Sequence, residues 1–226
     1  MGDVSSTAAL FVKGVASSLS SPDSGTPRHH RPVPYADLAK LIDAATDGTD
    51  TSRAEVAATT AALVVAAGRE RGAEGQLVDL ADTVGIDTLA ELWRHADAVS
   101  LAGVLWVMYV LRQWCRTQAE EVALLWRAGA PYAPADAVVA GVADGADPES
   151  VRRVADDVLN GAYGGDFAVA LERAAAFFRV IAAGRRETAG TDLEQRTAQL
   201  TLADRNDRTA ADLRTSAAFW RAGQLH

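Results

Sequence analysis

Apolar residues return every three or four positions along most of this chain, and almost nowhere at every second position. The first stripe, Val4, Ala8, Phe11, Val15 and Leu19, predicts a weakly amphipathic helix within residues 1–19 whose other face is Ser-rich and nearly uncharged. Residues 20–34, "SSPDSGTPRHHRPVP", hold four prolines in fifteen positions and read as a linker, because proline lacks the amide that a helix ladder needs. A compact body is expected from about Tyr35, opening on a periodic segment through Leu38, Leu41 and Ile42.

Residues 50–72 offer Asp50, Thr51 or Ser52 as caps and a stripe through Val56, Leu63, Val64 and Ala67, with Thr60 in the gap and Gly68 or Gly72 as the stop. Short helices at about 76–83 and 87–97 meet at Val84-Gly85-Ile86. Ser100 to Ala128 reads as the longest helix. Its first half is apolar on every side, which marks a helix surrounded by others; its second half turns Val122 and Leu125 inward and Glu120 and Glu121 outward. Beyond Pro131 and Pro134, helices are predicted over 136–142, 150–160 and 166–183. A polar one spans 192–221, with Ala210, Leu213, Ala217 and Trp220 as its stripe. The prediction is all-α: a single core domain of about eight helices over 35–185, a tethered N-terminal helix and a C-terminal helical tail, 186–226.

Two stretches end alike, "LWRAG" at 125–129 and "FWRAG" at 219–223, but the match decays beyond them, so no duplicated unit is implied. Both are expected to end helices. Gly129 and Gly223 would take the left-handed C′ conformation, with Arg127 and Arg221 at the negative end of the helix dipole.

Composition narrows the picture. Only Lys13 and Lys40 are lysines among 22 basic residues, a bias that points to a GC-rich bacterial genome. A net charge of −8 disfavours a general nucleic-acid binder. Cys115 is the only cysteine, which excludes an intrachain disulfide and a multi-cysteine metal site and fits a cytoplasmic protein. The longest apolar run, Val99 to Leu111, is too short to span a bilayer, and no membrane association is expected.

Residues 77–95, "LVDLADTVGIDTLAELWRH", resemble the helix-turn-helix of bacterial regulators, including tetracycline-repressor-like ones. Gly85 falls at the turn, Leu80, Val84 and Ile86 at the apolar positions, and Ala81 at the small one. The resemblance implies a ligand-responsive DNA-binding regulator. The second helix departs from the pattern: its DNA-facing positions would be Asp87, Thr88, Leu89, Leu92 and Trp93, whereas base edges and phosphates call for polar and basic groups. Two core helices around a glycine turn are the preferred reading, with Trp93 in the core.

Other chemistry is thin. The pairs Glu120-Glu121 and Asp156-Asp157 are sequence neighbours about 100° apart on a helix and cannot converge on one ligand. His29-His30 sits in the linker. Cys115, near Arg112 and Arg116, reads as a buried small hydrophobe. In "NGAYGGD", Gly161 is expected to stop one helix and Asp166 to cap the next. No catalytic residue, cofactor or metal ligand is assigned. Trp106, Tyr109 and Trp114 are candidates for an apolar pocket or dimer surface. The expected function is a non-enzymatic interaction or regulatory module. It would recruit a protein partner, or form a homo-oligomer, through Val4, Ala8, Phe11, Val15 and Leu19.

Overall fold

The computed structural model describes residues 50–70, 92–142, 146–164 and 166–226. Among them there is helix and connecting loop and no strand, as the periodicity predicts. Seven α-helices appear: α1 (Asp50–Glu70), α2 (Leu101–Thr117), α3 (Ala119–Gly129), α4 (Pro134–Ala140), α5 (Pro148–Gly164), α6 (Phe167–Glu187) and α7 (Leu193–Arg221). A 3₁₀ turn, Ala130–Tyr132, joins α3 to α4. The N-terminal stripe, the linker, residues 35–49 and most of 77–95 lie outside the described residues.

Helix α6 is the hub. It packs against α3, α4, α5 and α7, while α2 lies against α1 and α5. Its apolar residues therefore bury on several faces: Phe167, Leu171, Phe177, Phe178 and Ile181 are all fully enclosed. Local chemistry fixes the helix starts. Ser100 Oγ accepts from the Gly103 amide at 3.1 Å, Asp166 Oδ1 from the Ala168 amide at 2.9 Å, and Asp192 Oδ1 from the Gln195 amide at 2.9 Å. In α1 the inward stripe is Ala57, Thr60, Ala61 and Val65, with Val56 and Val64 half-buried at its edges.

Three differences from the sequence expectation bear on the packing. The long helix over 100–128 is two helices, broken at Gln118, whose backbone (φ −129, ψ 39) leaves the helical region. The Gln118 amide still reaches Trp114 O, and its side chain accepts from Trp114 Nε1 at 2.9 Å, so the break costs no hydrogen bond there. Helix α3 then turns away to lay Val122, Leu125 and Trp126 against α5 and α6, with the Trp126 and Phe177 rings 5.0 Å apart. Gly161 does not stop a helix: α5 runs on to Gly164, and Gly161 faces Ala170 of α6 across an ordinary contact.

The third difference concerns Gly129. It keeps right-handed helical angles (φ −89, ψ −30) instead of a left-handed cap. What needs glycine is the neighbouring helix. A Cβ on Gly129 would collide with Val180 O and sit 2.6 Å from Gly184 N; a Cβ on Gly184 would collide with Leu125 O. The α3 and α6 backbones thus cross in direct contact, glycine against glycine. Gly223 does behave as expected, with φ +68 just past the Ala222 cap of α7. The two "RAG" endings share letters but not geometry.

Candidate interaction surface

Of the residues singled out from sequence, Val4, Ala8, Phe11, Val15 and Leu19 lie outside the described residues. So do His29, His30 and the positions Asp87, Thr88 and Leu89. The aromatic candidates are buried within the chain, at 4% (Trp106), 1% (Tyr109) and 3% (Trp114) exposure. Tyr109 stacks at a tilt on Trp93, ring centroids 5.7 Å apart, and the Arg185 guanidinium sits 5.4 Å over the Trp114 ring. Leu92 and Trp93 are buried too. Trp93 Nε1 donates to Thr60 Oγ1 at 3.1 Å, so this indole is held by the core and presents nothing to a DNA groove.

The reactive groups are likewise engaged. Cys115 is fully buried, and burial, then the Asp156 charge, push its thiol well above the ordinary range. A thiol held protonated is a poor nucleophile. Native protein is therefore expected to react with an aromatic disulfide reagent at least ~100-fold more slowly than denatured protein; comparable rates would contradict the burial. Asp156 accepts from Arg112 Nε at 2.7 Å, and Glu121 lies 4.0 Å from Arg185. Among the described residues no three His, Cys, Asp or Glu side chains gather as a metal site, and no helix is long and apolar enough to cross a membrane.

Charge fixes the register of α7 on α6. At one end Arg186 Nη2 donates to Asp204 Oδ1 at 2.9 Å and Asp207 Oδ2 at 2.6 Å. At the other, Arg221 grips Glu172 through both carboxylate oxygens, at 2.6 and 2.9 Å, beside Trp220 packed edge-on to Phe167. Between them Ala210, Leu213 and Ala217 bury against α6, and Ala203 does so just ahead of Asp204. Sliding α7 by one turn would break both ion-pair sites at once. The hydrogen bonds from Arg221 hold the Glu172 carboxyl below its ordinary range. A depressed carboxylate contributes stability above the unfolded pKa and loses it as pH falls through the folded value. Glu172→Gln is thus expected to cost under about 1 kcal/mol at neutral pH, since the pair is solvent-accessible. Its stability curve should merge with that of the unaltered protein as acid protonates Glu172, which urea titrations across pH would show.

This register leaves the first turns of α7 open to solvent. Helix α6 ends at Glu187, and Arg185 Nη1 reaches forward only to Gln199, at 2.9 Å. Residues 193–198 are all exposed. Tyr132 at 65%, Val138 at 81% and Val139 at 50% exposure are apolar side chains left in water on the 3₁₀ turn and α4. Tyr132 is turned outward with its hydroxyl bonded to Glu187, which raises the phenol pKa. Sequence reading missed both sets. Adjacent valines on a seven-residue helix were the available signal, because neighbours about 100° apart cannot both face inward.

No protein family matches this chain, and neither the curated proteins nor the solved structures yield a match to it.

Proposed function

We propose that this protein is a non-enzymatic helical interaction module that recruits a protein partner through its N-terminal segment, with Val4, Ala8, Phe11, Val15 and Leu19 as the contact stripe. The observation that supports this reading is the contrast within the body. Its cysteine, its tryptophan-rich cluster and its Arg112–Asp156 pair are spent internally, while Tyr132, Val138 and Val139 stand out in water. Val138 and Val139 are neighbours, and exposed apolar patches mark surfaces that meet other proteins. A helix carrying one apolar stripe on a proline-rich tether supplies a second, movable contact, with Phe11 as its anchor.

The test is capture from the native cell with the intact chain, with Phe11→Ala and with Val138→Asp. One and the same protein should be lost by both variants. Deleting residues 1–34 should abolish that capture and leave the thermal midpoint almost unchanged. If the deletion unfolds the body, or both variants retain every captured protein, the reading fails. Specific, salt-sensitive binding of a defined duplex would instead support a helix-turn-helix regulator.

A further inference from the structure

Helix α7 is long, yet little apolar surface holds it in place. Among the described helices its broad contact is α6. Seven of its 29 residues are buried, and Leu213 is the single large apolar one among them; the rest are Ala, Asn, Thr and Ser. Such small side chains remove little apolar area from water. The Arg186 and Arg221 clamps are solvent-accessible, and ion pairs of that kind contribute little to stability.

The same contact strands polar groups. Asn206 Nδ2 and Ser216 Oγ are enclosed and find no hydrogen-bond partner. Arg185, buried on α6, gives Nη1 to Gln199 of α7 and has no partner for Nε. Asp212 sits half-buried, and loss of water pushes its carboxyl up with no nearby cation to offset it. A buried polar group without a partner costs stability that contact with water restores. We propose that α7 is a releasable latch, which lifts from α6 as one unit about Gly190 while the other helices stay packed.

The hinge is the short connection between Glu187, where α6 ends, and the Asp192 cap. Gly190 within it is left-handed (φ +68), and nothing lies within 4 Å of where a Cβ would stand, so the backbone there is free to turn. Lifting returns water to Asn206, Asp212, Ser216 and Arg185 while giving up modest apolar contact. These effects oppose each other, and a unit so balanced opens well before the rest of a fold. Trp220 comes away from Phe167, which uncovers one side of the hub. The device does not depend on the N-terminal segment or on what that segment binds.

The experiment uses the full chain carrying Ser216→Cys and an aromatic disulfide reagent. The change is nearly isosteric and places a thiol on the enclosed face of α7. Cys115 lies on α2, against α1 and α5, and reports opening of the remaining helices in the same molecules. The thiol at position 216 should react at least ~100-fold faster than Cys115. Adding Trp93→Phe, which loosens α1 from α2, should speed Cys115 by about tenfold and leave position 216 unchanged. Ala210→Cys, whose parent residue is 1% exposed on the same helix, is a second probe and should show the same pattern. In the otherwise unaltered chain, Asp212→Asn keeps the shape and removes the charge, and should slow amide exchange over 203–217 by at least ~3-fold. Both thiols reacting together, Trp93→Phe speeding both alike, or exchange indifferent to Asp212→Asn would each overturn the latch.

Discussion

Gly184→Ala is expected to destabilise the protein by about 3 kcal/mol or more, at the upper end of what overpacking does. The added methyl would overlap the Leu125 carbonyl oxygen and come within 2.8 Å of its carbon and 3.2 Å of the Gly129 nitrogen. All three are backbone atoms of α3, and backbone cannot swing aside as the tip of a flexible side chain can. The α3 and α6 axes must move apart, which opens gaps around Val122, Leu125, Trp126 and Phe177. Gly129→Ala should act in the same way through Val180 O. Gly223→Ala is the control: a Cβ there meets nothing within 4 Å, and only the left-handed backbone (φ +68) is strained, for about 1 kcal/mol. Urea denaturation of the three variants decides the matter. If Gly184→Ala is no worse than Gly223→Ala, the close crossing is not what the glycine serves.

Trp93→Ala is expected to cost about 3–5 kcal/mol. The indole is fully enclosed, touches Tyr109 and spans to α1 through the bond from Nε1 to Thr60 Oγ1. The Thr60 hydroxyl gives its own proton to the Val56 and Ala57 carbonyls, so it is arranged to accept from Trp93. Alanine removes the packing and leaves a cavity between α1 and α2. Trp93→Phe keeps part of the ring volume and loses the bond, and should cost about 1–2 kcal/mol, the scale of one unsatisfied buried acceptor. A Trp93→Ala protein as stable as the parent would show that the indole faces solvent, as a recognition helix would have it.

The parts of this fold that were legible in the sequence are those fixed by nearest neighbours. Ser100, Asp166 and Asp192 cap helices because a short side-chain oxygen can reach an amide two or three residues ahead, whatever the rest of the chain does. Leu213 and Trp220 lie inward because a 3.6-residue period gathers Ala210, Leu213, Ala217 and Trp220 on one face of the second half of α7. Gly129 and Gly223 show where such reading stops. Both follow Trp-Arg-Ala, yet one continues the helix because another glycine presses on it from 55 residues away, while the other has free space in which to turn. The break at Gln118 and the run of α5 through Gly161 are likewise set by what each helix meets. The candidate surface was least legible. The exposure of Leu193 and Thr197 goes with a register set by ion pairs between residues 18 to 49 apart in sequence, which no local pattern announces.

The two ion-pair sites on α7 also have a mechanical meaning. The helix is unbroken from Leu193 to Arg221, a rod of ~43 Å at 1.5 Å per residue. Its far end hands Leu225 into the core, and His226 O accepts from the Leu101 amide, the first residue of α2, at 2.9 Å. Clamped at Arg186 and again at Glu172, with its first turns cantilevered beyond the inner clamp, such a rod acts as a lever. A load on Leu193 would bear first on the Arg186 clamp, and any rotation there would be felt as torque at the start of α2, at the far end of the rod.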